Sequence, residues 1–175
     1  EGTLGVVTRL VLRLREAPRS TQTALVACAE FADVTRLLKH MDGALGGALS
    51  AFEVMWNEFY RLVTTPPAKG APPISQDYAY YVLIESAGGD PERDQARFEE
   101  ALGEAIESGL VADAVIASSE AQRASLWALR DDVEQFFRLG MPVVFDISLP
   151  VTEMEGYVTE IVARLEREWP AYRRF

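Results

Sequence analysis

The sequence predicts an α+β fold: a ferredoxin-like layered sandwich, with helices packed on one side of a mainly antiparallel sheet. Three observations lead there. Segments of two-residue apolar period alternate with segments of helical period along the whole chain. No GxGxxG loop follows any strand segment, as a doubly wound parallel sheet that binds a dinucleotide would show. The segment 78–86 alternates as an antiparallel strand with one wet face does, where a parallel strand would be apolar throughout.

Taken in order, residues 5–14 alternate as a strand, with Val6, Thr8, Leu10, Leu12 and Leu14 on one face. EAPRS breaks the pattern, and 22–28 form a second strand rich in Val, Leu and Ala. Phe31, Val34, Leu37, Leu38 and Met41 recur at helical spacing, and the glycines of GALGG end that helix. Residues 48–54 read as a short strand and 55–63 as a helix. TTPPAKGAPPISQ (64–76), with four prolines and no period, reads as a mobile loop. YAYYVLIESAG (78–88) is a strand by its aromatic and β-branched density. Asp90-Pro91-Glu92 starts a helix: Asp caps the free amides, Pro suits the first turn, and Glu suits the dipole. Gly109 ends that helix, and 111–117 form the next strand. Ser119 and Gln122 make a capping box for a helix running to about residue 138, with Leu126, Leu129, Val133 and Phe136 inward. MPVVFDISLP (141–150) reads as a buried strand closed by proline, followed by a second capping box at Thr152 and Glu155.

Composition excludes several functions. At 175 residues and 49% hydrophobic content the chain buries the core of one domain. A net charge of −10 disfavours nucleic acid and anionic membrane, both of which demand a basic face. No apolar run approaches the ~18 residues of a membrane span, and nothing resembles a secretory leader. The single cysteine, Cys28, lies in the apolar run ALVACA and reads as a buried, inert thiol. A lone cysteine cannot form an internal disulfide, which fits a reducing, cytoplasmic setting. The single histidine, His40, leaves any imidazole-rich metal site or Ser-His-Asp triad without partners, and reads as a surface or dipole-facing group. Self-contained hydrolase or zinc chemistry is therefore not expected within this chain.

Five stretches then resemble one family in the right order: EGTLGVVT (1–8), LSAFEVMW (49–56), YYVLIESAG (80–88), LWALRDDV (126–133) and FDISLPVTEMEGYV (145–158). They are similar to the vanillyl-alcohol-oxidase-type flavoproteins, in the branch that holds the D-lactate, glycolate and D-2-hydroxyglutarate dehydrogenases. The resemblance implies that 1–19 close an FAD-binding domain and that 20–175 form the substrate, or cap, domain. It implies that Glu1, Gly2, Thr3, Gly5 and Val7 lie against the flavin, where glycines admit close backbone approach. It also implies that Arg130 binds the substrate carboxylate, a task that suits a guanidinium fork. The alternative role for Arg130 is a surface pair with Asp131, Asp132 or Glu134. Asp146, Ser148, Glu53 and Glu85 are expected to be structural.

Two departures bear on substrate. The 2-hydroxyglutarate branch has a threonine one turn after the arginine and a lysine two residues before the later aspartate. Glu134 and Val144 stand there, and both disfavour a second substrate carboxylate. A D-lactate-like 2-hydroxy monoacid is therefore expected, oxidised to the 2-oxo acid with hydride passing to the flavin. The family's Gly-His-x-Gly-Asp-Gly-Asn metal motif would begin just after residue 175, so a divalent ion such as zinc is expected in the full-length protein with its ligands outside this chain. The fragment alone is then inactive, its electron acceptor is unassigned, and a homodimer is allowed for. The alternative function is a stand-alone ferredoxin-like module that binds a small molecule and regulates.

Overall fold

The computed structural model describes residues 4–14 and 16–175. The elements are β1 (Ser20–Cys28), α1 (Phe31–Leu45), β2 (Leu49–Trp56), α2 (Asn57–Thr64), β3 (Tyr80–Gly88), α3 (Pro91–Glu107), β4 (Asp113–Ile116), α4 (Glu120–Asp131), a 3₁₀ helix (Val133–Arg138) and α5 (Val151–Glu168). The four strands form one sheet in the order β2-β3-β1-β4, with every neighbouring pair antiparallel. With α2 set aside, β1-α1-β2-β3-α3-β4 is the ferredoxin-like order that the sequence predicts.

Strand alternation divides the core in two. On one face Ala24, Val26 and Cys28 of β1 and Val82 and Ile84 of β3 meet Leu37 and Met41 of α1 and Phe98 and Leu102 of α3. On the other, Leu25, Ala27, Tyr81 and Leu83 meet Phe59, Tyr60 and Val63 of α2 and Leu126 and Leu129 of α4. The expectation of helices on one side alone is thus corrected. The central strands β1 and β3 are apolar on both faces, so the second face also needs a cover, and α2 and α4 supply it.

Local chemistry sets the boundaries. Asp90 accepts the Arg93 amide at 3.3 Å at the start of α3. The left-handed Gly46 (φ 57°) ends α1. Ser119 accepts the Gln122 amide at 3.2 Å, and the Gln122 side chain returns to the Ser118 amide at 2.7 Å. The proline-rich loop is anchored rather than loose. Tyr60 and Tyr81 stack with ring centroids 3.7 Å apart. Their hydroxyls donate to the carbonyls of Ile74 at 3.0 Å and Ser75 at 2.7 Å. Gly70 passes so close beneath α4 that a Cβ there would lie 2.5 Å from Leu129 Cδ2 and from the Val63 carbonyl oxygen. Only glycine fits such a crossing.

Four expectations need correction. Residues 5–14 are extended and exposed, with no ladder partner. The same holds for 141–150, where Met141 is 86% exposed and Val143 82%. Period-two patterning reports which face could be covered and does not supply the neighbouring strand that makes a sheet. The helix from Ser119 stops at Asp131, and 133–138 continue as 3₁₀. Asp131, Asp132, Val133 and Glu134 put poor helix formers and like charge where the helix dipole is negative. The box at Thr152 and Glu155 does not form, because α5 begins at Val151 after Pro150 and has no side-chain cap.

Candidate functional site

Arg123, Trp127 and Arg130 recur on α4 at a spacing that puts them on one face, beside Leu126 and Leu129. The face they meet is the sheet surface that carries Leu83 and Met55, and three polar residues lie in it. Thr23 of β1 pairs with Glu85 of β3, and Glu53 of β2 pairs with Leu83. The apolar side of α4 anchors the helix, and its polar side meets these carboxylates.

Glu85 is the hub. One oxygen, Oε2, accepts the Trp127 indole N–H at 2.7 Å, the Thr23 hydroxyl at 3.0 Å and an Arg123 N–H at 3.4 Å. Three donors on a partly buried carboxylate replace the water it gave up. Arg123 also binds Glu120, and the two carboxylates hold its guanidinium firmly protonated.

Glu53 serves Arg130. Its Oε2 accepts from Arg130 Nε at 3.0 Å and from Nη2 at 2.8 Å, while Nη1 donates to Asp131 Oδ1 at 3.1 Å. The Glu53 hydrogen bond, ahead of that from Asp131, raises the arginine's already high pKa. Both partners remain over a third exposed, 40% for Arg130 and 37% for Glu53. The ion pair is therefore weak as a stabilising contact, and the guanidinium stays reachable by a ligand. Pairing with Asp131 matches the surface-pair reading of Arg130. Pairing with Glu53 was not foreseen. The signal for it was the alternation of β2 and β3, which puts two acidic residues in phase with buried positions, where a carboxylate needs a partner.

The other site residues are dispersed. Glu134 is exposed on the 3₁₀ helix and forms no ion pair with Arg130 among the described residues. Val144 is 76% exposed in the extended segment, and Asp146 and Ser148 beside it are exposed too. Gly5 and Val7 lie in the exposed arm, Val7 at 72%, with open space where a Cβ on Gly5 would point. Glu1, Gly2 and Thr3 lie outside the described residues. His40 lies within α1, facing α3, its Nε2 at 2.8 Å from the Ala101 carbonyl oxygen and 3.7 Å from Glu104. Cys28 is fully buried, and burial pushes its thiol up to about 12. Among the described residues no three His, Cys, Asp or Glu side chains converge on a metal position. A cleft of about 750 Å³ lies elsewhere, between α2 and α5, and is lined by Arg61, Arg138, Arg173 and Arg174 with Glu58 and Glu166. Arg130 does not line it; the segments LSAFE, VLIES and LWALR meet instead at the α4–sheet junction.

Those segments are joined by side-chain bonds: LSAFE to LWALR through Glu53–Arg130, and VLIES to LWALR through Glu85–Trp127. Residues 17–172 match the family model described as FAD linked oxidases, C-terminal domain. Over 166 residues the chain is 36% identical to a protein of Bos taurus and 34% identical to one of Arabidopsis thaliana, each named D-2-hydroxyglutarate dehydrogenase, mitochondrial. Each match covers 94% of this chain and 30% of the relative. A D-2-hydroxyglutarate dehydrogenase of Xanthomonas citri is 31% identical over 98% of the chain and 35% of its own length. The chain thus spans about a third of the length of these relatives.

Proposed function

Because the chain belongs to the family of FAD linked oxidases, C-terminal domain, we propose that it is the substrate domain of an FAD-dependent dehydrogenase that oxidises a D-2-hydroxy acid to the 2-oxo acid. The observation that carries the proposal is Arg130. Its guanidinium is anchored on one edge by Glu53, and the side chain as a whole is 40% exposed. An arginine held this way can accept a carboxylate on its remaining edge by paired, charge-assisted hydrogen bonds. Such a contact orients the carbon that bears the hydroxyl and loses its hydride.

FAD, when bound, supplies the hydride acceptor. The residues of this chain that would lie against it are Glu1, Gly2, Thr3, Gly5 and Val7, within a segment 1–19 that closes the FAD-binding domain; residues 20–175 form the substrate domain. The unpaired backbone of 5–14 and the open space at Gly5 fit such a contact. A divalent metal such as zinc belongs to the proposal for the full-length protein only. The described residues offer it no cluster of three donors. A cytoplasmic location and a homodimer complete the reading, to be tested by fractionation and light scattering.

Within the class we read the substrate as a monoacid such as D-lactate. By the resemblance, Glu134 and Val144 stand where the 2-hydroxyglutarate branch has a hydroxyl and a cation, and Asp131, Asp132 and Glu134 make the chain after Arg130 acidic. The relatives above are named for D-2-hydroxyglutarate, so the ratio of kcat/KM for the two acids decides the point. A ratio above one for D-2-hydroxyglutarate over D-lactate overturns the monoacid reading and leaves the D-2-hydroxy-acid reading standing. A stand-alone regulatory module shares the strand order but does not account for the family match.

A further inference from the structure

We propose that Glu53 is the positioning residue for Arg130: it takes the Nε–Nη2 side of the guanidinium, fixes the plane of the fork and leaves the Nη1–Nη2 edge for a ligand carboxylate. This rests on the reading of Arg130 as the group that binds the substrate carboxylate. A guanidinium offers five N–H donors in one plane, so whatever holds two of them sets the direction of the others. Glu53 Oε2 holds the Nε and Nη2 donors, at 3.0 and 2.8 Å.

The partner on the remaining side differs in kind. Asp131 is next in sequence, 59% exposed, at the last residue of α4, and reaches only Nη1 at 3.1 Å. A substrate carboxylate can replace it with little disturbance. Glu53 stands on a strand whose backbone is hydrogen-bonded to β3, in register with Leu83, and its side chain emerges beside the buried Met55. Its backbone is held in the sheet, so its carboxylate stays tethered within reach of Arg130. A long arginine side chain is costly to order, and a partner fixed to the sheet removes that cost before the substrate arrives. Glu53 also uses one oxygen on the side edge. A carboxylate competing for the fork would use both, in the bidentate geometry.

The test uses the full-length flavoprotein with D-lactate and D-2-hydroxyglutarate. Glu53→Gln keeps shape and size but loses the charge, so it should raise KM about tenfold and leave kcat within about twofold. Flavin content and melting temperature should stay at wild-type values. Glu53→Asp keeps the charge but is one methylene too short, and should raise KM likewise, which covers the case where one variant folds poorly. In an Arg130→Ala background neither change should add to the effect on KM. A wild-type KM in both Glu53 variants, alongside a raised KM in Arg130→Ala, overturns the positioning role alone. A KM lowered by Glu53→Gln also overturns it, since Glu53 would then compete for the fork. A wild-type KM in Arg130→Ala removes the underlying reading of the arginine.

Discussion

Replacing Trp127 with phenylalanine removes one N–H donated to Glu85 Oε2 at 2.7 Å and part of an indole packed against the α2–α4 side of the core. The Glu85 side chain is only 15% exposed, so the lost donor is not fully replaced by water. A hydrogen bond to a charged acceptor contributes about 1.5–3 kcal/mol. Thr23 at 3.0 Å and Arg123 at 3.4 Å remain as partners, which puts the loss at the lower end. Adding the smaller apolar area gives about 2 kcal/mol in all. For a domain of this size that is a fall in Tm of roughly 4–8 °C. Urea and thermal unfolding of Trp127→Phe, Glu85→Gln and the double variant measure it. The two changes should couple by at least ~1 kcal/mol, because each removes the other's partner. A loss under ~0.5 kcal/mol for Trp127→Phe, or strict additivity in the double variant, refutes the claim that Glu85 clasps α4 through this indole.

Gly70→Ala should destabilise the fold by about 1–3 kcal/mol in urea unfolding, since its Cβ would meet backbone and a packed leucine; a neutral result refutes the close crossing. The Cys28 thiol titrates near 9.0 when unfolded and near 12 when folded, burial being the larger cause and Asp33 the smaller. Its contribution is whole below pH 9 and is lost as pH rises toward 12, with a slope approaching ~1.4 kcal/mol per pH unit. Tyr60, buried and raised from 10.0 to about 12, joins only above pH 10. Cys28→Ala should therefore flatten stability between pH 9 and 10, and an unchanged slope there sinks the assignment. The 175-residue chain expressed alone should purify colourless and free of stoichiometric zinc; a yellow preparation contradicts the proposal that FAD is held mainly by residues outside it.

Elements with a complete local signal were readable from sequence alone. Asp90-Pro91 and Ser119 start α3 and α4 where their capping chemistry puts them, and the aromatic density of 80–88 marks a central strand. What failed depended on partners that a one-dimensional pattern does not carry. Residues 5–14 and 141–150 alternate correctly yet lie exposed, because a strand exists only against a neighbour. The second helical layer was hidden for a related reason: β1 and β3 are apolar on both faces, and alternation read on one strand does not say which helices cover which side. At the α4–sheet junction, Arg130 was singled out through its motif. Its partner Glu53, 77 residues away in sequence, was not, because only the sheet register brings α4 over β2. Glu134 shows the cost of assuming a continuous helix, since the 3₁₀ geometry after Asp131 changes where it points relative to Arg130.

The most direct test of the functional claim is anaerobic reduction of the full-length protein's flavin by D- and L-2-hydroxy acids, in wild type and in Arg130→Ala. The account predicts that D-lactate bleaches the wild-type flavin and L-lactate does not. Arg130→Ala should need a concentration raised on the order of a hundredfold, as the loss of a charge-assisted carboxylate contact requires, with flavin content unchanged. A wild-type flavin that no D-2-hydroxy acid reduces, or an Arg130→Ala enzyme with the wild-type concentration dependence, would contradict it.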